Sequence, residues 1–155
     1  MARSDLRKSW RVIAVDTNLL VYAHRGELPF HVPAATHLKA LAESSSPWAI
    51  PWPCVHEFYN VVTNPRVLRP PSTIAQATLQ ISSWFASPSL VLLHEGLSHW
   101  DTLQALIRTA KLVGGQIHDA RIAAICIEHQ VRELWSADRD FNRFPSLTVR
   151  NPLVG

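Results

Sequence analysis

Cysteine is nearly absent from this chain. Cys54 and Cys126 are the only two among 155 residues, and neither has a partner at C-x-x-C spacing. That argues against a disulfide-stapled scaffold or a zinc ribbon, and it reads as two reduced thiols buried in apolar helical segments. Long apolar runs are absent as well. Nothing approaches the ~20 residues of a membrane span, and the apolar stretch after the basic lead Met1 to Trp10 is too short for a signal peptide and is broken by Asp16. The expected location is therefore the cytoplasm, with no membrane association. Internal repeats and low-complexity linkers are missing too. Charged residues make up only 17% against 47% apolar ones, a globular rather than disordered balance. The formal net charge of +3 permits a polyanionic partner without indicating one.

What is present is alternation. The length suits one domain with a sizeable core, assigned to residues 12–155, with residues 1–11 as an N-terminal extension. Residues 12–16 carry a short apolar run that reads as a buried strand. Leu19 to Arg25 is helix-like, Gly26, Pro29 and Pro33 break that pattern, and Ala34, Leu38, Leu41 and Ala42 restore a helical face. Trp48-Ala49-Ile50 is a second strand bounded by prolines, followed by a helix from about Pro53 to Thr63 with Val55, Phe58, Tyr59 and Val62 on its apolar face. Glu57, Asn60 and Asn64 at i, i+3, i+7 form a polar stripe on another face of that helix. Ser72 is the expected N-cap of the next helix, whose apolar face is Ile74, Ala77, Ile81, Trp84 and Phe85.

Leu90 to Leu93 is a third strand. Ser98 and Asp101 have capping-box-like spacing before a helix carrying Leu103, Leu106, Ile107 and Ala110, which Gly114-Gly115 is expected to end. Ile117 to Gln130 is apolar almost all round and reads as a buried helix; Arg132 to Ser136 and Leu147 to Val149 supply the fourth and fifth strands. Strands alternating with helices imply an α/β fold with a mostly parallel sheet and right-handed crossovers.

Four acids stand where an acid is a poor structural choice. Asp16 ends a buried strand, Glu57 lies early in the helix after the second strand, Asp119 sits in the first turn of a helix of Ile and Ala, and Asp138 follows the fourth strand. Taken singly each has a structural reading: a helix-dipole partner, a solvated surface acid, a turn or cap residue. In an alternating chain, strand ends and the following helix starts share one edge, so all four can converge. Clustered carboxylates raise one another's pKa, and a hard divalent cation such as Mg²⁺ or Mn²⁺ removes that cost. Such a site suits phosphodiester hydrolysis.

These segments resemble the four successive motifs of PIN-domain ribonucleases, and more closely those of the VapC toxins of bacterial toxin–antitoxin pairs. The residues that carry the resemblance are Val15-Asp16-Thr17-Asn18 with Leu19-Leu20 and Ala23, then His56-Glu57-Phe58, then His118-Asp119-Ala120-Arg121-Ile122-Ala123-Ala124, then Ser136-Ala137-Asp138-Arg139-Asp140-Phe141. The tail from Phe144 to Leu153 is also similar, so the resemblance spans residues 12 to 153; the lead before Val12 is longer than is common in the family. It implies a three-layer sandwich around a mostly parallel sheet of four to five strands. It also implies a metal-dependent endoribonuclease, the toxin of a type II (VapBC) system, that hydrolyses RNA with a metal-activated water and leaves 5′-phosphate and 3′-hydroxyl ends. Asp16, Glu57, Asp119 and Asp138 match the catalytic and metal positions for one or two Mg²⁺ or Mn²⁺, and Asp140 matches a further acid that assists the metal. Asn18 and Ser136 match supporting positions, Ser136 standing where the family often has Thr. The implied partners are an RNA substrate, a cognate VapB-type antitoxin and a second copy of the chain in a homodimer. Residues 67–85 are a candidate surface for the dimer or the antitoxin, and equally a candidate for plain core.

Two other classes compete. A PIN fold that binds RNA or protein without cutting is argued against by the intact acidic set. A phosphatase using Asp16 as nucleophile would want a second Asp two residues on, where Asn18 stands. The resemblance leaves the RNA-binding residues unassigned. His24, His56 and His118 neighbour the motifs, and with eight histidines chance proximity accounts for that. Trp48, Trp52, Trp84, Trp100 and Trp135 read as core, while Trp10 is not placed. Arg25, Arg121, Arg139 and Arg143 pair either with phosphates or with acidic neighbours, a choice the sequence leaves open.

Overall fold

A computed structural model describes residues 12–154; the expected extension at 1–11, Trp10 with it, lies outside the described residues. Five strands form one sheet in the order β3-β2-β1-β4-β5: β1 Ile13–Val15, β2 Trp48–Pro51, β3 Leu90–Leu93, β4 Glu133–Trp135 and β5 Val149–Arg150. Every pairing is parallel. The apolar run at the start of the chain makes β1 the central strand because it can be buried on both faces; Ala14 and Val15 are fully buried. Ala14 sits in register with Ala49 of β2 on one side and Leu134 of β4 on the other.

Among the described residues six helices accompany the strands: α1 Thr17–His24, α2 His31–Glu43, α3 Trp52–Thr63, α4 Ile74–Phe85, α5 His99–Ala110 and α6 Ile117–Glu128. The chain winds outward from β1 to β3, then returns past β1 to β4. With right-handed crossovers this change of direction sends the first helices to one face and α5 and α6 to the other. The packing follows, with α1 against α2 and α3, α3 against α4, and α5 against α6. The core lies between the sheet and both helix layers, with Trp48, Phe58, Ile50, Ile125 and Leu134 fully buried. The carboxyl ends of β1 and β4 flank the point where the strand order reverses, the position at which open α/β sheets bind ligands.

Several local expectations need correcting. Thr73, not Ser72, caps α4: its Oγ1 accepts from Gln76 N–H at 3.0 Å and its N–H donates to Gln76 Oε1 at 2.9 Å, a complete capping box. The Ser72 hydroxyl is occupied elsewhere, 2.9 Å from His24 Nε2 and accepting from Arg25. On α4, Ala77 and Trp84 face the core, whereas Ile74 is 69% exposed. Ser98 sits at the N-cap of α5 but makes no side-chain cap bond, because its φ of −92° and ψ of 11° depart from the extended cap conformation. That helix ends at Lys111, which adopts the left-handed conformation; Gly114-Gly115 instead open the short 3₁₀ turn that leads into α6. Trp100 is 61% exposed rather than core. Both cysteines are buried and unpaired. No helix among the described residues is long and apolar enough to cross a membrane.

Candidate active site

The site is built at the end of β1. Asp16 extends the ladder, its N–H donating to Trp135 O at 2.9 Å, and then caps α1 with extended backbone angles. Its side chain makes no cap bond and turns to other partners. Oδ2 accepts from Ser136 Oγ at 2.7 Å and from Asn18 Nδ2 at 3.4 Å, while Oδ1 lies 3.6 Å from the Cys54 thiol, which donates to it. The Ser136 hydroxyl in turn accepts from the Asp138 N–H at 3.0 Å, and Asn18 Oδ1 accepts from Ala137 N–H at 3.2 Å. One serine and one asparagine therefore lock the ends of β1 and β4 together and fix both acids that follow them.

The other acids arrive from different elements. The α3 helix supplies Glu57, whose Oε2 accepts from Thr17 Oγ1 at 2.9 Å. Asp119 sits in the first turn of α6, where the helix dipole favours a negative charge. Asp138 caps the 3₁₀ turn Arg139–Arg143, its Oδ1 accepting from Asp140 N–H at 2.9 Å. Asp16, Glu57, Asp119 and Asp138 all line one open cleft of about 220 Å³, together with Thr17 and Asn18. Val21, Tyr22 and Val61 complete its apolar wall. The four acids picked out by sequence thus converge. Asp140 stands apart: it does not line the cleft and its side chain is largely exposed, 3.5 Å from Arg143. Its carboxylate nonetheless joins those of Asp119 and Asp138 in a trio with ligating oxygens within 4.8 Å of one another.

Packing acids this closely has an electrostatic cost. Burial raises the Asp16 carboxyl to about 6, against the lowering effect of the Ser136 hydrogen bond. Asp119 is also raised to about 6, first by burial and then by the charges of Asp138, Asp140 and Glu57. Burial pushes the Cys54 thiol well above its usual range, and the neighbouring Asp16 adds to this, so it stays protonated and donates. A donor set made only of carboxylate oxygens, drawn together at electrostatic cost, fits a hard divalent cation.

Two contributors escaped the sequence reading. Thr17 lies inside the first motif, and its hydroxyl holds Glu57, 40 positions away in sequence. Cys54 read only as core, yet it touches Asp16; its position one helical turn before Glu57 is the signal that was available. His24 faces away from the cleft, bonded to Ser72 and Gln80. Of the four arginines left open, Arg25, Arg121 and Arg143 pair with Glu27, Glu95 and Asp140. Arg139 makes no ion pair among the described residues.

Comparison with known proteins agrees with this arrangement. The profile of the PIN domain matches residues 13–147. Ribonuclease VapC43 of Mycobacterium tuberculosis is 36% identical over 144 residues, covering 93% of this chain and 97% of that protein. The fold is similar to that in a crystal structure of VapBC2 from Rickettsia felis bound to a DNA fragment from its promoter (TM-score 0.67, 19% identity, 90% of this chain and 98% of that one). It is also similar to Mycobacterium tuberculosis VapC20, described as a sarcin-ricin-loop-cleaving toxin (TM-score 0.64, 16% identity, 90% and 99% covered). With the motif residues gathered at one sheet edge and the match running through nearly the whole fold, the chain belongs to the PIN-domain family, as a ribonuclease of the VapC type.

Proposed function

We propose that this chain is a metal-dependent endoribonuclease, the toxin of a VapBC pair, and that Asp16, Glu57, Asp119 and Asp138 hold one or two Mg²⁺ or Mn²⁺, with Asp140 assisting. The supporting observation is the convergence of four carboxylates from four separate elements on one solvent-open cleft. A bound divalent cation supplies Lewis acidity, which makes a water nucleophilic near neutral pH and offsets negative charge developing on the phosphate. The chain's own residues prepare for this. Ser136 and Asn18 orient Asp16, and Thr17 orients Glu57, while Asp119, Asp138 and Asp140 already bring ligating oxygens within 4.8 Å of one another. Both oxygens of Asp16 are engaged by donors and the side chain is buried, which disfavours its use as a covalent nucleophile and favours hydrolysis. The 2′-hydroxyl is not required as a nucleophile, so the products carry 5′-phosphate and 3′-hydroxyl ends.

We further take the chain to work in the cytoplasm as a homodimer inhibited by a cognate VapB-type antitoxin, as the family resemblance implies; of these, the antitoxin partner is supported by the fold's similarity to the VapBC2 complex. We take residues 12–155 as the PIN unit and residues 1–11 as a lead to it. The deciding experiment is RNA cleavage with Mg²⁺ or Mn²⁺, compared between the native chain and Asp16→Asn. The native chain cuts only with the cation present. The variant loses more than the ~10–100-fold that removing a supporting residue costs. Products ending in 2′,3′-cyclic phosphate, or RNA binding with no metal-dependent cutting, would overturn the mechanism.

A further inference from the structure

The acidic cleft is not isolated. Through Glu57 it adjoins a second depression of about 410 Å³ between α3 and α6, walled by His56, Asn60, His118 and Arg121. Through Asp138 it adjoins a third, of about 180 Å³, beside the 3₁₀ turn, whose polar lining includes Arg139, Asn142 and Asn151. Charge is segregated along this series. The middle depression gathers four acids, whereas each flank contains no acid except the one it shares with the middle.

We propose that the three depressions form one continuous track for single-stranded RNA, the strand running over His56, Asn60 and His118, presenting one phosphate to the acids, and leaving over Arg139, Asn142 and Asn151. The proposal rests on the catalytic reading above and deepens it. A polynucleotide carries a phosphate at every step, and only the one at the acids can be compensated by a cation held there. Its neighbours need hydrogen-bond donors or positive charge, and the flanks offer both. Arg139 is exposed and makes no ion pair among the described residues, so its charge is free for a phosphate. Arg121 is engaged by Glu95 and serves as wall. On the other flank the exposed His56 ring rests against Trp52, with centroids 5.9 Å apart, which holds an aromatic face at the surface. Exposed imidazole faces offer stacking to bases without regard to sequence, and the Asn60 amide offers hydrogen bonds. A duplex keeps its bases paired away from such contacts, whereas a single strand can present both base faces and phosphates to them.

The test is binding of a fluorescein-labelled, mixed-sequence 20-nucleotide single-stranded RNA, followed by anisotropy in an Asp16→Asn background with Mg²⁺, alongside cleavage by otherwise native chains. Two double variants address the two flanks: His56→Ala with His118→Ala, and Arg139→Ala with Asn142→Ala. All four side chains are exposed, and melting temperatures establish that each variant folds. Each double variant is expected to weaken binding by about fivefold or more. The Arg139→Ala, Asn142→Ala pair is also expected to reduce the salt dependence of binding by about one counterion. Folded variants that bind and cleave as their parents do, at either flank, would overturn the track, as would absence of RNA binding by the parent. RNA binding lost through both flank variants, in a protein that cuts nothing with Mg²⁺ or Mn²⁺, would support the track and overturn the catalytic reading instead.

Discussion

A single hydroxyl carries much of the site's order. Ser136 Oγ donates to Asp16 and accepts from the Asp138 backbone, so it sets two acids at once from a position that is 2% exposed. Replacing it with alanine leaves a buried carboxylate short of its shortest hydrogen bond. Ser136→Ala is expected to lower cleavage by ~10–100-fold and to raise the Mg²⁺ or Mn²⁺ concentration needed for half-maximal activity, while Ser136→Thr retains most of both. A metal titration of the cleavage rate checks this; equal metal dependence in Ser136→Ala would refute the positioning role. Asp16, Glu57, Asp119 and Asp138 were legible in sequence because each stands as an acid against an apolar or early-helix background. Thr17 and Cys54 were less legible: each stands close in sequence to a site acid, but that nearness does not say that the hydroxyl or thiol reaches the acid on the other element.

Element ends are governed by short-range chemistry that is easily misassigned by a residue or more. The α5 helix stops at Lys111 with φ 54° and ψ 51°, a left-handed conformation that crowds the Cβ of any L residue. Lys111→Gly is therefore expected to stabilise the protein by ~1 kcal/mol, and Thr73→Ala, which removes the capping hydroxyl of α4, to cost ~1 kcal/mol. Urea unfolding of both variants tests the pair, with opposite shifts of the midpoint expected. By sequence Ser72 is the expected α4 cap and Gly114-Gly115 the expected end of α5, whereas the chain uses Thr73 and Lys111. Ser72 and Thr73 are adjacent hydroxyls with equal local credentials, and only the tertiary position of His24 and Arg25 decides that Ser72 is used elsewhere. Ile74 has core spacing yet is exposed, for a related reason. Helical spacing identifies an apolar stripe, but which part of it meets another helix depends on where α3 lies.

At the scale of the whole molecule, the site is a store of electrostatic cost. The folded-state carboxyls of Asp16 and Asp119 lie at about 6, above the ordinary 3.8. A raised carboxyl binds its proton more tightly in the folded than in the unfolded chain, so its contribution favours folding at low pH. It is lost as pH rises from about 4 through about 6 and stays lost above that. The metal-free protein is thus expected to lose melting temperature between pH 5 and pH 8 from this pair, and Mg²⁺ or Mn²⁺ to restore it more at pH 8, where no protons compete for the oxygens. Asp16→Asn removes the buried charge. It is expected to stabilise the metal-free protein at pH 8, by at most ~3 kcal/mol, while abolishing cleavage, and to show about half that gain at pH 5. Thermal denaturation at the two pH values, with and without the cation, measures both effects. A metal-free native chain that is more stable at pH 8 than Asp16→Asn would show that burial does not burden Asp16.

The sequence by itself determined the alternation of elements, the central place of the first strand and the identity of the acids. These depend on hydrophobic run length, helical period and residue type along short stretches, together with the family resemblance. Only the tertiary structure decided that the sheet is parallel throughout and ordered β3-β2-β1-β4-β5. It set Thr17 against Glu57, gave the supporting Ser136 its partner Asp16, drew Asp140 to Asp119 and Asp138 while leaving it outside the cleft lining, and joined three depressions through Glu57 and Asp138. The physical reason is separation along the chain. Contacts between residues 40 or 120 positions apart arise from how the helix layers close over the sheet, and no local pattern of residues encodes them.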